Sequence, residues 1–140
     1  MQFVRKLASL FVGVFCVTPL VNPAIAQNCG DLQTQLEMND CAGQSFKRSD
    51  AELNLVYNDI RTRLASEQDT LDLLVAAQRG WIVFRDAECA FSTSGVKTGS
   101  VYPLIHAICL DQLTQDRIAD LKHYLSCAEG DMSCPVPWAN

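Results

Sequence analysis

Residues 78–89 have the sequence Gln-Arg-Gly-Trp-Ile-Val-Phe-Arg-Asp-Ala-Glu-Cys, and the predicted fold is built around them. At about 3.6 residues per helical turn, four of these side chains share one face of a helix: Gln78, Trp81, Arg85 and Cys89. A buried tryptophan anchors a core, and its indole N–H needs an acceptor, which we expect Gln78 or Asp86 to supply. The polar residues of this face therefore predict a structural network around a tryptophan rather than an exposed functional cluster.

Four further residues are assigned to the same network: Asn54, Tyr57, Asp86 and Arg117. Arg85 and Asp86 are adjacent, so their side chains leave the helix in different directions, and we expect each to meet a partner on a neighbouring helix. Asn54 lies beside the apolar stripe of the preceding helix. We expect it to be a buried amide that bridges to Trp81 or Arg85.

Hydrophobic spacing predicts three helices. The first runs from Asp31 to about Ser66, with a possible kink or break expected at Cys41-Ala42-Gly43, and the second continues through the stretch above to Cys89. After a loop rich in turn-forming residues, the third has Pro103 in its first turn and ends near Leu125. Because the connection between the first two helices is short, they should be antiparallel neighbours. The predicted fold class is all-α, a small antiparallel three-helix bundle with an irregular C-terminal tail.

The first 26 residues are predicted to be a signal peptide. Arg5 and Lys6 precede a largely apolar run over residues 7–21, and Ala24-Ile25-Ala26 provides the small residues that a signal peptidase requires. We expect a periplasmic or secreted chain that starts near Gln27 and does not insert into the membrane. Residues 27–140 should form a single domain, with its core at about residues 41–125.

Removal of the signal peptide leaves an acidic protein. The full chain has 11 basic and 16 acidic residues, and the signal carries two of the basic residues and no acid, so the remainder has nine against sixteen, a net charge of −7. Such a surface repels nucleic acid and anionic membranes and attracts basic proteins. A basic protein partner is therefore predicted, and nucleic acid is not.

The cysteine count predicts three disulfides. Seven cysteines minus Cys16 of the signal leaves six, an even number in an exported chain. Cys89 and Cys109 flank the same loop, and Cys127 and Cys134 are close in sequence. These pairings leave Cys29 with Cys41, which requires the first helix to be short or broken between them, because ten helical steps span roughly 15 Å.

Neither a metal site nor a catalytic site is indicated. The sequence contains no Cys-x-x-Cys pair, and His106 and His123 are not spaced with the cysteines as zinc ligands would be. We interpret the two histidines as a half-buried structural residue and a helix C-terminal charge, respectively. Asp86 and Glu88 are two residues apart on a helix and diverge. We expect no cofactor, no metal and no enzymatic activity.

The pattern of residues resembles a known family. The carriers are Leu53, Asn54 and Tyr57 in the first helix, the second-helix face with Asp86, and, further on, Gly99, Ser100, Cys109, Thr114, Arg117 and Leu121. Together they resemble the N-terminal domain family of the LprI-type lysozyme inhibitors, over about Cys41 to Leu125. The resemblance implies an exported helical domain that binds lysozyme. Its motif residues lie mostly on inward faces, so they account for the fold more than for a binding surface.

The loop after the second helix is the predicted lysozyme contact. Lysozymes are commonly basic and carry two carboxyl groups in the cleft, where a polar loop with one cation could enter. We hypothesise that four residues make this contact: Ser94, Lys97, Thr98 and Tyr102. The alternative is an envelope accessory module that never meets lysozyme and binds another protein through acidic helix faces bearing Asp59, Asp72, Asp116 and Asp120.

Overall fold

The computed structural model describes residues 29–137, and three α-helices make up most of that range. The helices are α1 (Gln35–Arg63), α2 (Gln68–Ser92) and α3 (Tyr102–Leu125), with short 3-10 turns at Cys29–Asp31 and Ser94–Val96. No strand occurs within residues 29–137. The predicted all-α three-helix fold is confirmed. The predicted signal peptide lies outside the described residues.

A capping box sets the start of α1. The backbone N of Glu37 donates to Thr34 Oγ1 at 3.2 Å, and the Glu37 carboxylate accepts from the Thr34 backbone N at 3.0 Å. These two bonds satisfy donors that the first turn leaves free. The helix therefore begins at Gln35 rather than at Asp31, and the break expected at residues 41–43 was wrong, because α1 is unbroken to Arg63.

Three disulfides join the predicted cysteine pairs. Cys29 reaches Cys41 because the chain between Cys29 and Thr34 is not α-helical and turns back along α1. The three Cα–Cα separations are 5.6, 5.7 and 6.0 Å, for Cys29–Cys41, Cys89–Cys109 and Cys127–Cys134. All three lie within the range that a disulfide accepts. We call the last of them the tail disulfide.

The closest helix pair is α1 with α3. These two run parallel, since Asn39 meets Ser100 near their starts and Glu52 meets Lys122 further along, while α2 runs antiparallel to both. The main core forms between α1, α3 and the tail, from Leu53, Ile60, Leu64, Ile118, Leu121 and Val136. The first two helices are antiparallel as predicted, but α1 packs more closely against α3 than against α2.

The tail after α3 is irregular and attached to the bundle. Val136 is buried in the core, and the tail disulfide closes the turn that precedes it. Gly130 has φ of +84°, a left-handed conformation that glycine adopts without strain. The Ser133 hydroxyl and then its backbone N–H donate to Asp131, and together they hold the pKa of that exposed carboxyl below its usual value. The predicted irregular C-terminal tail is thus confirmed for residues up to 137.

Candidate functional site

Arg85 is the centre of the polar network on α2. Arg85 is only 8% exposed. Its guanidinium lies 2.9 Å from the Asp86 carboxylate and 3.4 Å from the carboxylate of Asp50 on α1. It also donates to Thr114 of α3, whose side chain is fully buried, at 3.4 Å. One arginine therefore connects all three helices, and two carboxylates offset its charge.

Aromatic rings complete the surroundings of Arg85. The guanidinium carbon lies 5.1 Å from the centre of the Trp81 ring and 5.3 Å from that of Phe46. Both distances permit cation–π attraction, and a planar guanidinium suits such stacking. The acceptors expected for the Trp81 indole bond to arginines instead: Gln78 accepts from Arg117, and Asp86 accepts from Arg85.

The structure brings most of the predicted network together, but the contacts of Asp86, Asn54 and Tyr57 differ from those expected. Gln78 is buried and accepts from Arg117 Nε at 3.1 Å, which connects α2 to α3. Asp86 pairs with adjacent Arg85 rather than with another helix, because an arginine side chain is long enough to fold back. Asn54 is exposed and donates to the Asp50 backbone and side chain, so it touches the network only through Asp50.

Tyr57 is the third residue whose contacts differ from those expected. Its ring is half-buried against the main core and lies 5.8 Å from the Arg61 guanidinium carbon. It contributes packing and a cation–π contact at the edge of the bundle rather than a hydrogen bond within the polar network. Its position four residues from both Leu53 and Arg61 accounts for both contacts.

A second polar connection was missed at the sequence level. Ser45 and Ser49 of α1 both donate to the carboxylate of Asp111 on α3, Ser45 at 2.9 Å. Ser49 is buried, and the two serines are one helical turn apart. That spacing was the available signal, but only the parallel alignment of α1 with α3 brings Asp111 to them.

A groove of about 530 Å³ lies between α1 and α2. It forms where α2 presents long polar side chains such as Gln78 and Arg85 towards α1 in place of compact apolar ones. Arg61 and Arg79 also line it, on an otherwise acidic protein. Apolar residues such as Leu53, Val75 and Ile82 line it as well, so the groove is a mixed surface that is locally cationic.

The loop between α2 and α3 is compact and fixed at both ends. Buried Thr93 donates through its hydroxyl to the Cys89 carbonyl at 2.6 Å, and Gly99 N donates to the Val96 carbonyl at 2.8 Å. Asn39 of α1 donates to the Ser100 carbonyl at 3.2 Å. Together with the Cys89–Cys109 disulfide, these bonds hold the loop in one conformation against the bundle.

The four predicted contact residues occupy this loop and the first turn of α3. Ser94, Lys97 and Thr98 are exposed, whereas Tyr102 is half-buried, with its ring centre 5.1 Å from that of His106. Lys97 forms no ion pair with any residue in the range 29–137. Ser94, Lys97 and Thr98 thus present one cation and two hydroxyl groups to solvent.

Residues 29–137 contain neither a cluster of metal ligands nor a membrane-spanning helix. No cluster of three or more His, Cys, Asp or Glu side chains that could hold a metal occurs there. No helix in the same range is long and apolar enough to cross a membrane.

Comparison with known proteins assigns the chain to a family. A family model described as lysozyme inhibitor LprI matches residues 26–121, a span that includes the Arg85 network and the α2–α3 loop. The chain belongs to the lysozyme inhibitor LprI family. The resemblance drawn from the sequence is therefore confirmed. The LprI match ends before Cys127, so the tail disulfide lies beyond it.

A relative supports the same assignment. An uncharacterized protein of Rhizobium meliloti (strain 1021) is 30% identical over 125 residues, which cover 81% of this chain and 90% of the relative. No solved structure matches the chain. The description of the LprI family is that of an inhibitor, which fits a protein without catalytic activity.

Proposed function

We propose that this protein is an exported inhibitor that binds lysozyme non-covalently and blocks cell-wall hydrolysis. The observation that carries the proposal is the LprI family match over residues 26–121, which spans nearly the whole three-helix bundle. Three disulfides suit an oxidising compartment, either the periplasm or the exterior, where lysozyme acts on cell walls.

Charge provides the attraction between the two proteins in this proposal. The chain after residue 26 has a net charge of −7, from nine basic and sixteen acidic residues, and a basic enzyme is steered towards such a surface. Lysozyme's cleft carries two carboxyl groups that perform the hydrolysis. An exposed cation on the acidic inhibitor can pair with them.

The α2–α3 loop is the part of the protein that suits this task. Lys97 brings the cation, Ser94 and Thr98 bring hydroxyl groups for the polar cleft, and Tyr102 borders them. The Cys89–Cys109 disulfide and the Thr93 hydrogen bond fix the loop before binding. A fixed loop loses less conformational entropy on binding, which increases affinity.

The test is to titrate c-type and g-type lysozymes with the oxidised protein and to measure cell-wall lysis at low and moderate salt. Lys97→Ala should weaken inhibition at least about tenfold, as expected for a charge pair inside an interface. Lys47→Ala is the matched control, because Lys47 is an exposed lysine of α1 away from the loop. It should change inhibition less than about twofold at moderate salt, where long-range attraction is screened.

Two results would count against the proposal. If inhibition occurs but Lys97→Ala behaves like Lys47→Ala, the loop is not the contact. If a large excess of oxidised protein inhibits neither class of lysozyme, the envelope accessory alternative gains support. Its acidic residues Asp59, Asp72, Asp116 and Asp120 are all exposed on the helices.

A further inference from the structure

Helix α2 has an unusual distribution of side chains. Its inward face buries polar residues, with Gln78 6% and Arg85 8% exposed, while its outward face leaves Leu73 71%, Phe84 55% and Phe91 76% exposed. A surface helix normally shows the opposite arrangement, with its polar face in water. The outward face of α2 therefore needs an explanation that residues 29–137 do not provide.

The exposed apolar residues follow a regular spacing. They belong to a row with alternating steps of four and three residues, the 3.5-residue period by which helices pack side by side. We call this row the outer seam; it comprises Leu73, Ala77, Gly80, Phe84, Ala87 and Phe91. No seam position is charged, and exposed Val83 extends the apolar surface beside it. The period is that of a helix–helix interface.

Gly80 lies within the seam near the middle of α2. A glycine inside a helix costs about 1 kcal/mol relative to alanine. Nothing within residues 29–137 requires it, because a Cβ at Gly80 would have none of their atoms within 4 Å and its φ is not positive. A second helix packed closely on α2 would use the space that the missing side chain leaves.

The outer seam is complementary to itself. In an antiparallel pair related by a two-fold axis, a residue before the centre faces the residue equally far after it in the second copy. With residue 82 at the centre, all six seam positions pair: Leu73 with Phe91, Ala77 with Ala87, and Gly80 with Phe84. We propose that the outer seam is the interface of an antiparallel homodimer, in which Phe84 of each copy packs over Gly80 of the other.

Charges at the edge of the seam agree with the same pairing. Arg79 is three residues before the centre, and Asp86 is four residues after it on the same side of the helix. Arg79 is exposed, and the Asp86 side chain is 57% exposed although it contacts Arg85. In the antiparallel dimer, Arg79 of one copy lies beside Asp86 of the other, once on each side of the centre. A second copy is thus a partner that matches the face in both shape and charge.

The area of the face is sufficient for a stable dimer. Residues 73–91 span roughly 27 Å of helix. Phe84 and Phe91 alone expose on the order of 250 Å², since an aromatic side chain carries roughly 150–250 Å². With Leu73, Val83 and the small residues between them, the face approaches the roughly 800 Å² that each partner buries in a standard interface.

Sedimentation equilibrium of the oxidised, exported chain over a range of concentrations tests this inference, because it measures the oligomeric state. Phe84→Asp should raise the dissociation constant roughly 30-fold or more, as for a central interface residue. Gly80→Leu should also favour the monomer, by filling the space that Phe84 occupies. Leu55→Asp is the matched control, because Leu55 is even more exposed than Phe84 but lies on α1, and it should leave the dimer intact.

Gly80→Leu also separates loss of the interface from loss of the fold. Leucine is a better helix former than glycine, and a Cβ at this position has no atom of residues 29–137 within 4 Å, so the variant should be folded by circular dichroism. A chain that stays monomeric at roughly 100 µM, above the micromolar limit for interfaces of this size, would overturn the homodimer. So would a dimer that survives both seam substitutions, or a monomer whose Phe84→Asp variant loses lysozyme binding, which would assign the seam to lysozyme.

Discussion

Replacing Arg85 with methionine should destabilise the protein more than any other single change in charge within the bundle. Methionine retains much of the aliphatic volume against Trp81 and Phe46 but removes the guanidinium that connects the helices. The loss includes contacts to Asp86 at 2.9 Å and to Asp50 at 3.4 Å, and the hydrogen bond to Thr114. The fold thereby loses a side chain that bonds to residues of all three helices.

The size of the effect follows from how buried each partner is. Removing one member of a fully buried ion pair costs about 3–5 kcal/mol, because the other charge is left without a partner. Here the Asp50 and Asp86 side chains are 44% and 57% exposed, so water recovers part of that loss. Two cation–π contacts, about 0.5–1 kcal/mol each, are lost as well. We expect Arg85→Met to lower the free energy of unfolding by about 2–4 kcal/mol.

Urea denaturation followed by far-ultraviolet circular dichroism measures this difference, with the disulfides kept oxidised. All variants should be compared at one protein concentration, because a dimer would make stability depend on concentration. Arg48→Met makes the same substitution at an exposed residue of α1 and should stay within about 0.5 kcal/mol of the original. Arg85→Lys should recover little, since lysine lacks the planar group with several donors.

Two outcomes would refute this reasoning. An Arg85→Met variant as stable as Arg48→Met would mean that the network does not hold the helices together. The two carboxylates provide a finer check, because Asp86 is closer to the guanidinium than Asp50. Asp86→Asn should therefore cost more than Asp50→Asn, and the reverse order would contradict the assignment of Asp86 as the main partner.

Two further sets of substitutions test the contributions of the Cys89–Cys109 disulfide and the α1 capping box to stability. Replacing both Cys89 and Cys109 with alanine should lower the free energy of unfolding by about 3 kcal/mol. Loss of the tail disulfide should cost less, because that disulfide closes a shorter loop. Equal losses would argue against this dependence on loop length. Thr34→Ala should cost about 1 kcal/mol by removing the α1 capping box, whereas Thr62→Ala, inside the same helix, should be neutral or stabilising. Equal effects of the two threonine substitutions in thermal unfolding would show that the cap contributes nothing.

The sequence was most informative where neighbouring residues determine structure. The three helices follow from apolar spacing, and Pro103 marks the first turn of α3 because its fixed φ suits that position. The Cys89–Cys109 disulfide follows from an antiparallel helix pair across one loop. The start of α1 was misplaced, although Thr34 and Glu37 carried the three-residue spacing of a capping box.

Long-range partners were beyond the reach of the same reasoning. Spacing placed Asn54 beside an apolar stripe, but the depth of a residue at the edge of a stripe depends on how closely the next helix approaches. Because α2 leaves a groove beside α1, Asn54 is in solvent. The bonds from Ser45 and Ser49 to Asp111 likewise depend on the parallel alignment of α1 and α3, across more than sixty residues of chain.

The two proposals place constraints on each other through α2. The loop proposed to bind lysozyme starts directly after Ser92, whereas the outer seam ends at Phe91 and is centred on residue 82. In an antiparallel dimer each copy of Ser92 lies ten residues from that centre, and the two copies lie on opposite sides of it. They are therefore roughly 30 Å apart along the helices. Each loop therefore emerges at its own end of the interface, and a lysozyme bound at one end leaves the other end free. The dimer should bind two lysozyme molecules independently, so Phe84→Asp should change the mass of the complex without changing the inhibition produced by each chain.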